Sequence, residues 1–365
     1  MINFKSIVVT VLSAILIPKI YLWLTSNAVG VQFYNVYPGM CKSIPGIVCG
    51  SEKITVTSDG LAFFTSGMKG ASNCDHRYLH GRIYLFDFKD PEKGATELFL
   101  KSNSILPSSF SPHGMDLFED LKNNLIKLLV INHANHSESV EVFIFKRSEP
   151  SYLDHVKTLT DKKFVCLNDI AVINENIFYV TNYLKYCQYN EFASLLFEIG
   201  LKMPTSNIVY YNEGSTLVAA DGYSSLNGIA ISKDFSIVFV SSTANNTLSV
   251  FKREAKSGKL LLHNAIDISY SPDNVYIDHQ TGFLYVAVLK KPLHFFLAVR
   301  NLTLNTGTGI KIVPDSNQWK NADVTEVFHD NGQLIQSASM IVFYKNQYLI
   351  GSVYNTLVYC RTDNI

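Results

Sequence analysis

The sequence predicts an all-β fold, a six-bladed β-propeller behind an apolar N-terminal signal-anchor helix. Three observations lead there. Short apolar runs of strand length, bounded by turn residues, recur along most of the 365-residue chain. Helix signals are scarce after residue 30. A polar residue opens an apolar strand in each of six units: Glu52, His113, Asn168, Asn227, Asn274 and Ser337, spaced 47 to 63 residues apart. Several strands per unit at a period of about 50 residues mark propeller blades. Six such units fill the length as one domain.

The first element is the apolar one. Ile7 to Leu24 is interrupted only by Thr10, Ser13, Lys19 and Tyr21. Its uninterrupted part ends at Pro18, short of the roughly 20 residues of a membrane span. Lys19 can snorkel, which extends the segment to Leu24. No small-x-small cleavage site follows, so residues 1–27 read as a retained signal-anchor, with a cleaved signal peptide as the competing reading. Residues 28–365 then form the propeller on the lumenal or extracellular side. It is expected to be membrane-anchored in the endoplasmic reticulum or at the cell surface, or secreted if the segment is cut. The sequons at Asn135, Asn245 and Asn301 agree with that compartment. The six cysteines, Cys41, Cys49, Cys74, Cys166, Cys187 and Cys360, permit disulfides there. With no CxxC pair among them, a zinc site is not expected.

The strands follow in order. GLAFFTSG at Gly60–Gly67, RIYLFDF at Arg82–Phe88, LLVIN at Leu128–Asn132 and VEVFIF at Val140–Phe145 are rich in β-branched and aromatic residues. Between them, Asp116 to Asn124 carries a weak helical pattern. Asp169 to Thr181 holds two strands around Asn174-Glu175-Asn176. Asn227 to Phe251 holds three, with turns at Lys233-Asp234 and Ala244–Asn246. Asp273 to Val288 turns at Asp278–Gly282, and Ser337 to Tyr359 turns at Lys345-Asn346. Composition excludes one class of partner. Formal net charge is zero and no Lys/Arg run stands out, so nucleic acid is not expected, nor is a basic membrane-surface patch.

The first strand of each blade lines the central channel. Polar residues at the same end of those strands therefore converge on the axis. Glu52, Asn168, Asn227, Asp273 and Asn274 are all oxygen donors. A hard cation fits such a ring, and calcium is the usual one. Turn capping is the ordinary use of Asn and Asp at strand starts, but the repetition in successive units favours a shared ligand.

The pieces CKSIPGIVCGSEKITVTSDGLAFFTSG (Cys41–Gly67), SPHGM (Ser111–Met115), LLVINH (Leu128–His133) and LNDI (Leu167–Ile170) resemble the paraoxonase family of calcium-dependent lactonases and arylesterases. LNGIAIS (Leu226–Ser232), PDNVYID (Pro272–Asp278) and LIGSVYNTLVYC (Leu349–Cys360) continue the resemblance in order. It implies a six-bladed propeller with two calcium ions in its channel. Glu52, Asn168, Asn227, Asp273 and Asn274 would hold the catalytic ion. His113 and His133 would be the histidine dyad, one of them the general base that activates water. Cys41 and Cys360 would form the ring-closing disulfide.

Departures from the family pattern matter as much. The second, structural ion normally has an aspartate directly after the catalytic glutamate. Here that position is Lys53, while Asp169 and the carbonyl of Met115 still match. A lysine ammonium in place of the ion predicts one bound calcium, and a pair with Asp169. Tyr183, Leu184 and Leu289 replace polar pocket residues, which shifts substrate choice. Two functions follow from the resemblance. One is a hydrolase acting on a small lactone or ester. The other is a catalytically silent, membrane-anchored auxiliary factor for the assembly and surface expression of ion-channel subunits.

Overall fold

A computed structural model describes residues 17–18, 21, 30–68, 81–101, 110–134, 137–187, 194–292, 305–315, 319–354 and 356–362. Apart from Ile17, Pro18 and Tyr21, the expected N-terminal helix lies outside the described residues, as do Cys74, Asn135 and Asn301. Among the described residues no helix is long and apolar enough to cross a membrane.

The fold is all-β and propeller-like. Strands β2 (Ile54–Val56), β3 (Leu61–Ser66), β4 (Arg82–Asp87) and β5 (Ala95–Leu100) run as a meander. So do β6 (Pro112–Asp120), β7 (Leu125–Ala134), β8 (Ser137–Lys146) and β9 (Tyr152–Leu159). A second group is β10 (Leu167–Asn174), β11 (Ile177–Asn182), β12 (Ser206–Asn212) and β13 (Ser215–Tyr223). A third is β14 (Leu226–Ile231), β15 (Ile237–Ser242), β16 (Thr247–Arg253) and β17 (Leu260–Asp267). A fourth is β18 (Ser271–Ile277), β19 (Leu284–Leu289), β20 (Gly307–Val313) and β21 (Asp323–Asp330). The last sheet contains β22 (Ala338–Tyr344), β23 (Gln347–Ser352) and β24 (Leu357–Arg361), with the N-terminal β1 (Met40–Ser43) on its outer edge.

The expectation of six separate blades needs correction. Four sheets of four strands stand alone, and the other eight strands form one sheet ordered β2-β3-β4-β5-β9-β8-β7-β6. The join is parallel and short, Phe99 against Tyr152 and Leu100 against Leu153. Both partners are outer edge strands, whose unpaired backbone groups invite such pairing. Phe99 N–H donates to Ser151 O at 2.9 Å, and Lys101 N–H to Leu153 O at 3.1 Å.

Asp116 to Asn124 is not a helix. Asp116 to Asp120 pairs with Leu129 to Leu125 across a turn in which Asn124 takes φ +53°. Its weak helical spacing is overridden by a ten-residue neighbour strand that offers a full ladder. The predicted turn at Lys345-Asn346 has positive φ at both residues, 45° and 62°, as a tight two-residue hairpin requires.

The apolar core lies between neighbouring sheets. One cluster joins Phe239, Val250 and Ile266 to Val275, Val286 and Ile312; another joins Leu129 and Val142 to Ile170, Val180 and Val209. The first strands are covered on both faces, which is why β14 is buried at every residue. Strands β2, β6, β10, β14, β18 and β22 touch one another in that order, and β22 touches β2, closing a ring around the axis. Cys41 lies opposite Cys360 and is bonded to it, a link across 319 residues that ties β1 to the last strand.

Candidate active site

Five of the six inner strands reach the site through a local irregularity, while Glu52 and Lys53 directly precede β2. In β10, Leu167 pairs with Asn182 and Ile170 with Val180, so Asn168 and Asp169 together face one residue. The same shift places Asn227 between Leu226 and Ile229, Asp273 and Asn274 between Pro272 and Val275, and His113 between Pro112 and Met115. Strand β22 shifts at Ser339. A bulge re-aims side chains that strict alternation would send into the walls. The sixth unit therefore opens with Ser339, not Ser337. Ser339 Oγ donates to Glu52 O at 2.9 Å, whereas Ser337 sits in a turn with φ +47° and accepts from Asn305.

Two glycines allow the inner strands to meet at this level. A Cβ on Gly114 would lie 2.4 Å from Asn168 O, and one on Gly228 would lie 2.6 Å from Asn274 Cα. This gives a physical reason for the His-Gly and Asn-Gly pairs in the motifs.

Four of the five expected ligands, Glu52, Asn227, Asp273 and Asn274, interact with one another. Asn274 Nδ2 donates to Glu52 Oε1 at 3.2 Å. Asn227 hydrogen-bonds the Asp273 carboxylate, and Glu52 acts on Asp273 electrostatically. Burial, and then the negative charge of Glu52, push the Asp273 carboxyl well above its ordinary value. Glu52 Oε2, Asn168 Oδ1 and Asn227 Oδ1 are buried without a hydrogen-bond partner. One orphaned carboxylate oxygen and two orphaned amide oxygens, with the Asp273 carboxylate as well, are costly to bury unless a cation offsets them. The donor set is all oxygen and fits a hard cation such as calcium. Among the described residues no three His, Cys, Asp or Glu side chains form a metal-binding group. Amide oxygens make up most of this ring.

The histidines adjoin the ring. His113 Nδ1 is 2.9 Å from His133 Nε2, and His113 Nε2 is 3.7 Å from Glu52 Oε1. Their side chains are 13% and 25% exposed, so both are within reach of solvent. The backbone holds His113 from below, since its carbonyl accepts from Thr65 Oγ1 at 2.8 Å. Beside the ring, burial and the charges of Asp273 and Glu198 push the Tyr183 hydroxyl up. Leu184 and Leu289 are buried.

Lys53 occupies the interior just below Glu52. Its Nζ lies 2.5 Å from Asp169 Oδ2, with the two side chains 5% and 0% exposed. Burial raises the Asp169 carboxyl, and Lys53 opposes that rise. Met115 packs in an apolar cluster with Phe63, Leu128 and Val130. The resemblance would put a second cation beside Asp169; the ammonium of Lys53 stands at Asp169 Oδ2, while Asp169 Oδ1 is buried without a hydrogen-bond partner. Toward the far ends of the same strands lies a cavity of about 460 Å³, lined by Lys53, Asp116, Ile170, Ile229, Val275 and others. Asp116, beside Lys53, was not anticipated. It accepts from Val172 N–H at 2.8 Å and Thr55 Oγ1 at 3.2 Å, and burial pushes its carboxyl to about 6.

Three further features escaped the sequence reading. Cys166 and Cys187 form a disulfide that pins the segment after β11 beside Asn168. Cys49 is also disulfide-bonded. Glu138 Oε2 lies 2.8 Å from His133 Nδ1. That contact follows from hairpin register, in which His133 is directly opposite Glu138, and it was legible once β7 and β8 were paired. Asn245 is exposed in the β15–β16 turn, where a glycan acceptor has room.

The arylesterase family pattern matches residues 32–362. The chain is 31% identical over 330 residues to serum paraoxonase/arylesterase 1 of Mus musculus, covering 88% of each. It is 31% identical over 331 residues to the Homo sapiens protein of that name, again over 88% of each. Serum paraoxonase/lactonase 3 of Mus musculus is 30% identical over 326 residues, 88% of this chain and 89% of that one. Among solved structures, a luciferin-regenerating enzyme superposes with a TM-score of 0.53 at 10% identity, over 88% of this chain and 94% of that one. The calcium-binding protein regucalcin of Agrobacterium tumefaciens gives 0.51 at 12% identity, over 90% and 95%. Those two likenesses concern the fold alone.

Proposed function

Because the chain belongs to the arylesterase family, we propose that it is a calcium-dependent hydrolase of lactones and aryl esters. We read the eight-stranded sheet as two blades joined at their outer edges, so that six blades surround the axis. The observation that carries the reading is the set of orphaned oxygens on Glu52, Asn168 and Asn227, next to the His113–His133 pair. Glu52, Asn168, Asn227, Asp273 and Asn274 would hold one calcium, which when bound polarises a carbonyl oxygen as a Lewis acid. His113 takes a proton from water at Nε2, the nitrogen that faces the ring. His133 holds His113 in place through the contact of its Nε2 with His113 Nδ1. Leu184 and Leu289 make the walls apolar and suit a lactone with an aliphatic substituent. The propeller is held at a membrane of the secretory pathway by its N-terminal segment.

The test uses the full chain in detergent with calcium. Wild type is expected to hydrolyse δ-valerolactone and phenyl acetate, and chelation abolishes this. His113→Gln should lose about 100-fold or more in kcat. Calcium binding without any hydrolysis in wild type sinks the enzyme reading.

The second reading is an auxiliary factor for ion-channel assembly, in which the ion only fastens the blades. The buried Lys53–Asp169 pair favours it, because a cation of the chain's own stands where the resemblance puts a metal. In cells lacking the protein, His113→Gln would then restore channel surface levels as wild type does. A well-folded His113→Gln that fails to rescue counts against it.

A further inference from the structure

We propose that Glu138 is a positioning residue that sets the proton arrangement of the histidine pair and leaves the lone pair of His113 Nε2 facing Glu52. The inference rests on the hydrolase reading for its purpose, but not for its geometry.

The argument runs along a chain of contacts. Glu138 Oε2 lies 2.8 Å from His133 Nδ1 and accepts from Leu167 N–H at 3.2 Å. A carboxylate in this position is an acceptor only. The proton of neutral His133 is therefore on Nδ1, and Nε2 is left as an acceptor. The hydrogen bond made by one ring nitrogen decides the state of the other. His133 Nε2 is 2.9 Å from His113 Nδ1, so His113 must supply the hydrogen from Nδ1. Neutral His113 then carries its lone pair on Nε2, 3.7 Å from Glu52 Oε1. One carboxylate fixes, through two rings, which atom at the site can accept a proton.

Glu138 also joins this array to the ligand ring. Leu167 N–H, its second partner, belongs to the residue before Asn168. The same oxygen thus positions a base and the strand that carries a ligand. Strand β8 delivers it, because cross-strand register puts Glu138 beside His133.

The test reads tautomers directly, by nitrogen-15 NMR of histidine-labelled full chain with calcium. Wild type is expected to show both rings protonated at Nδ1 and unprotonated at Nε2. Glu138→Leu and Glu138→Ala offer no acceptor to His133 Nδ1; either should move the protons toward Nε2 on both rings. On a lactone substrate these variants should lose at least about 100-fold in kcat with little change in KM, and Glu138→Asp should restore part of it. Calcium affinity and melting temperature serve as controls for a merely structural role. A wild-type spectrum with the proton on His113 Nε2, or the same tautomers in all variants, overturns the proposal. Wild type that shows the Nδ1–H pair but hydrolyses nothing overturns the hydrolase reading and leaves the relay intact.

Discussion

Replacing Lys53 with methionine should cost the protein roughly 3–5 kcal/mol, the usual penalty for removing one partner of a buried ion pair. The figure follows from the geometry. Lys53 Nζ is 2.5 Å from Asp169 Oδ2, and both side chains are nearly or wholly withdrawn from water. At an effective dielectric of about 20, charges that close attract by about 7 kcal/mol, from which the desolvation of two ions is subtracted. In Lys53→Met the carboxylate keeps the Ile229 N–H, at 2.8 Å, but loses its countercharge. Asp169 then escapes by binding a proton. Burial already raises its carboxyl, and the lysine that opposes the rise is gone. A carboxyl raised in the folded state stabilises below its unfolded pKa, and that stability is lost as pH rises through the folded pKa. The deficit of Lys53→Met should therefore be small in acid and grow toward neutral pH. Urea unfolding of both proteins between pH 5 and pH 8, with calcium present, measures this. Lys53→Met/Asp169→Asn should recover most of the loss. Metal analysis of wild type should find one calcium per chain. A variant within about 1 kcal/mol of wild type at every pH, or two ions in wild type, would refute the reasoning.

Two other outcomes are expected. Asp116 has its carboxyl raised from 3.8 to about 6, mainly by burial, so its protonated form favours the fold and that contribution fades as pH climbs past 6. Asp116→Asn should gain on wild type by up to about 3 kcal/mol between pH 4 and pH 8, and a flat difference in unfolding midpoints contradicts this. Gly228→Ala puts a Cβ 2.6 Å from Asn274 Cα and Val275 N. Both are backbone atoms, so the inner strands must part; stability should fall by about 1–3 kcal/mol, and calcium affinity by calorimetry should fall with it. Unchanged affinity would mean that this approach does not shape the ring.

Much of the architecture was legible because it is local. Runs such as Ile237–Ser242 and Gln347–Ser352 are apolar, β-prone and closed by turn residues, and they became strands β15 and β23. Asp116–Asn124 misled because a short polar stretch carries little periodic signal, and its partner strand decided the outcome. Ser337 was chosen over Ser339 because nothing in composition marks that β22 begins only at Ala338 and bulges at Ser339. The edge join of β5 and β9 depends on where two strands distant in sequence lie in space, so it too was invisible.

The sequence by itself determined the strand content and the recurrence of polar residues near the starts of the inner strands, and it nominated the oxygen donors. These rest on side-chain chemistry and short-range propensity, which each segment carries with it. Tertiary structure alone decided which of the donors meet. Asn274 and Glu52, 222 residues apart, are brought within a hydrogen bond only when the inner strands close their ring. It also decided that Glu138 reaches His133, whereas the Lys53–Asp169 pair, expected from the resemblance, is present. Charge and lone-pair interactions act over a few ångströms, and distances of that size between remote residues exist only in the folded chain.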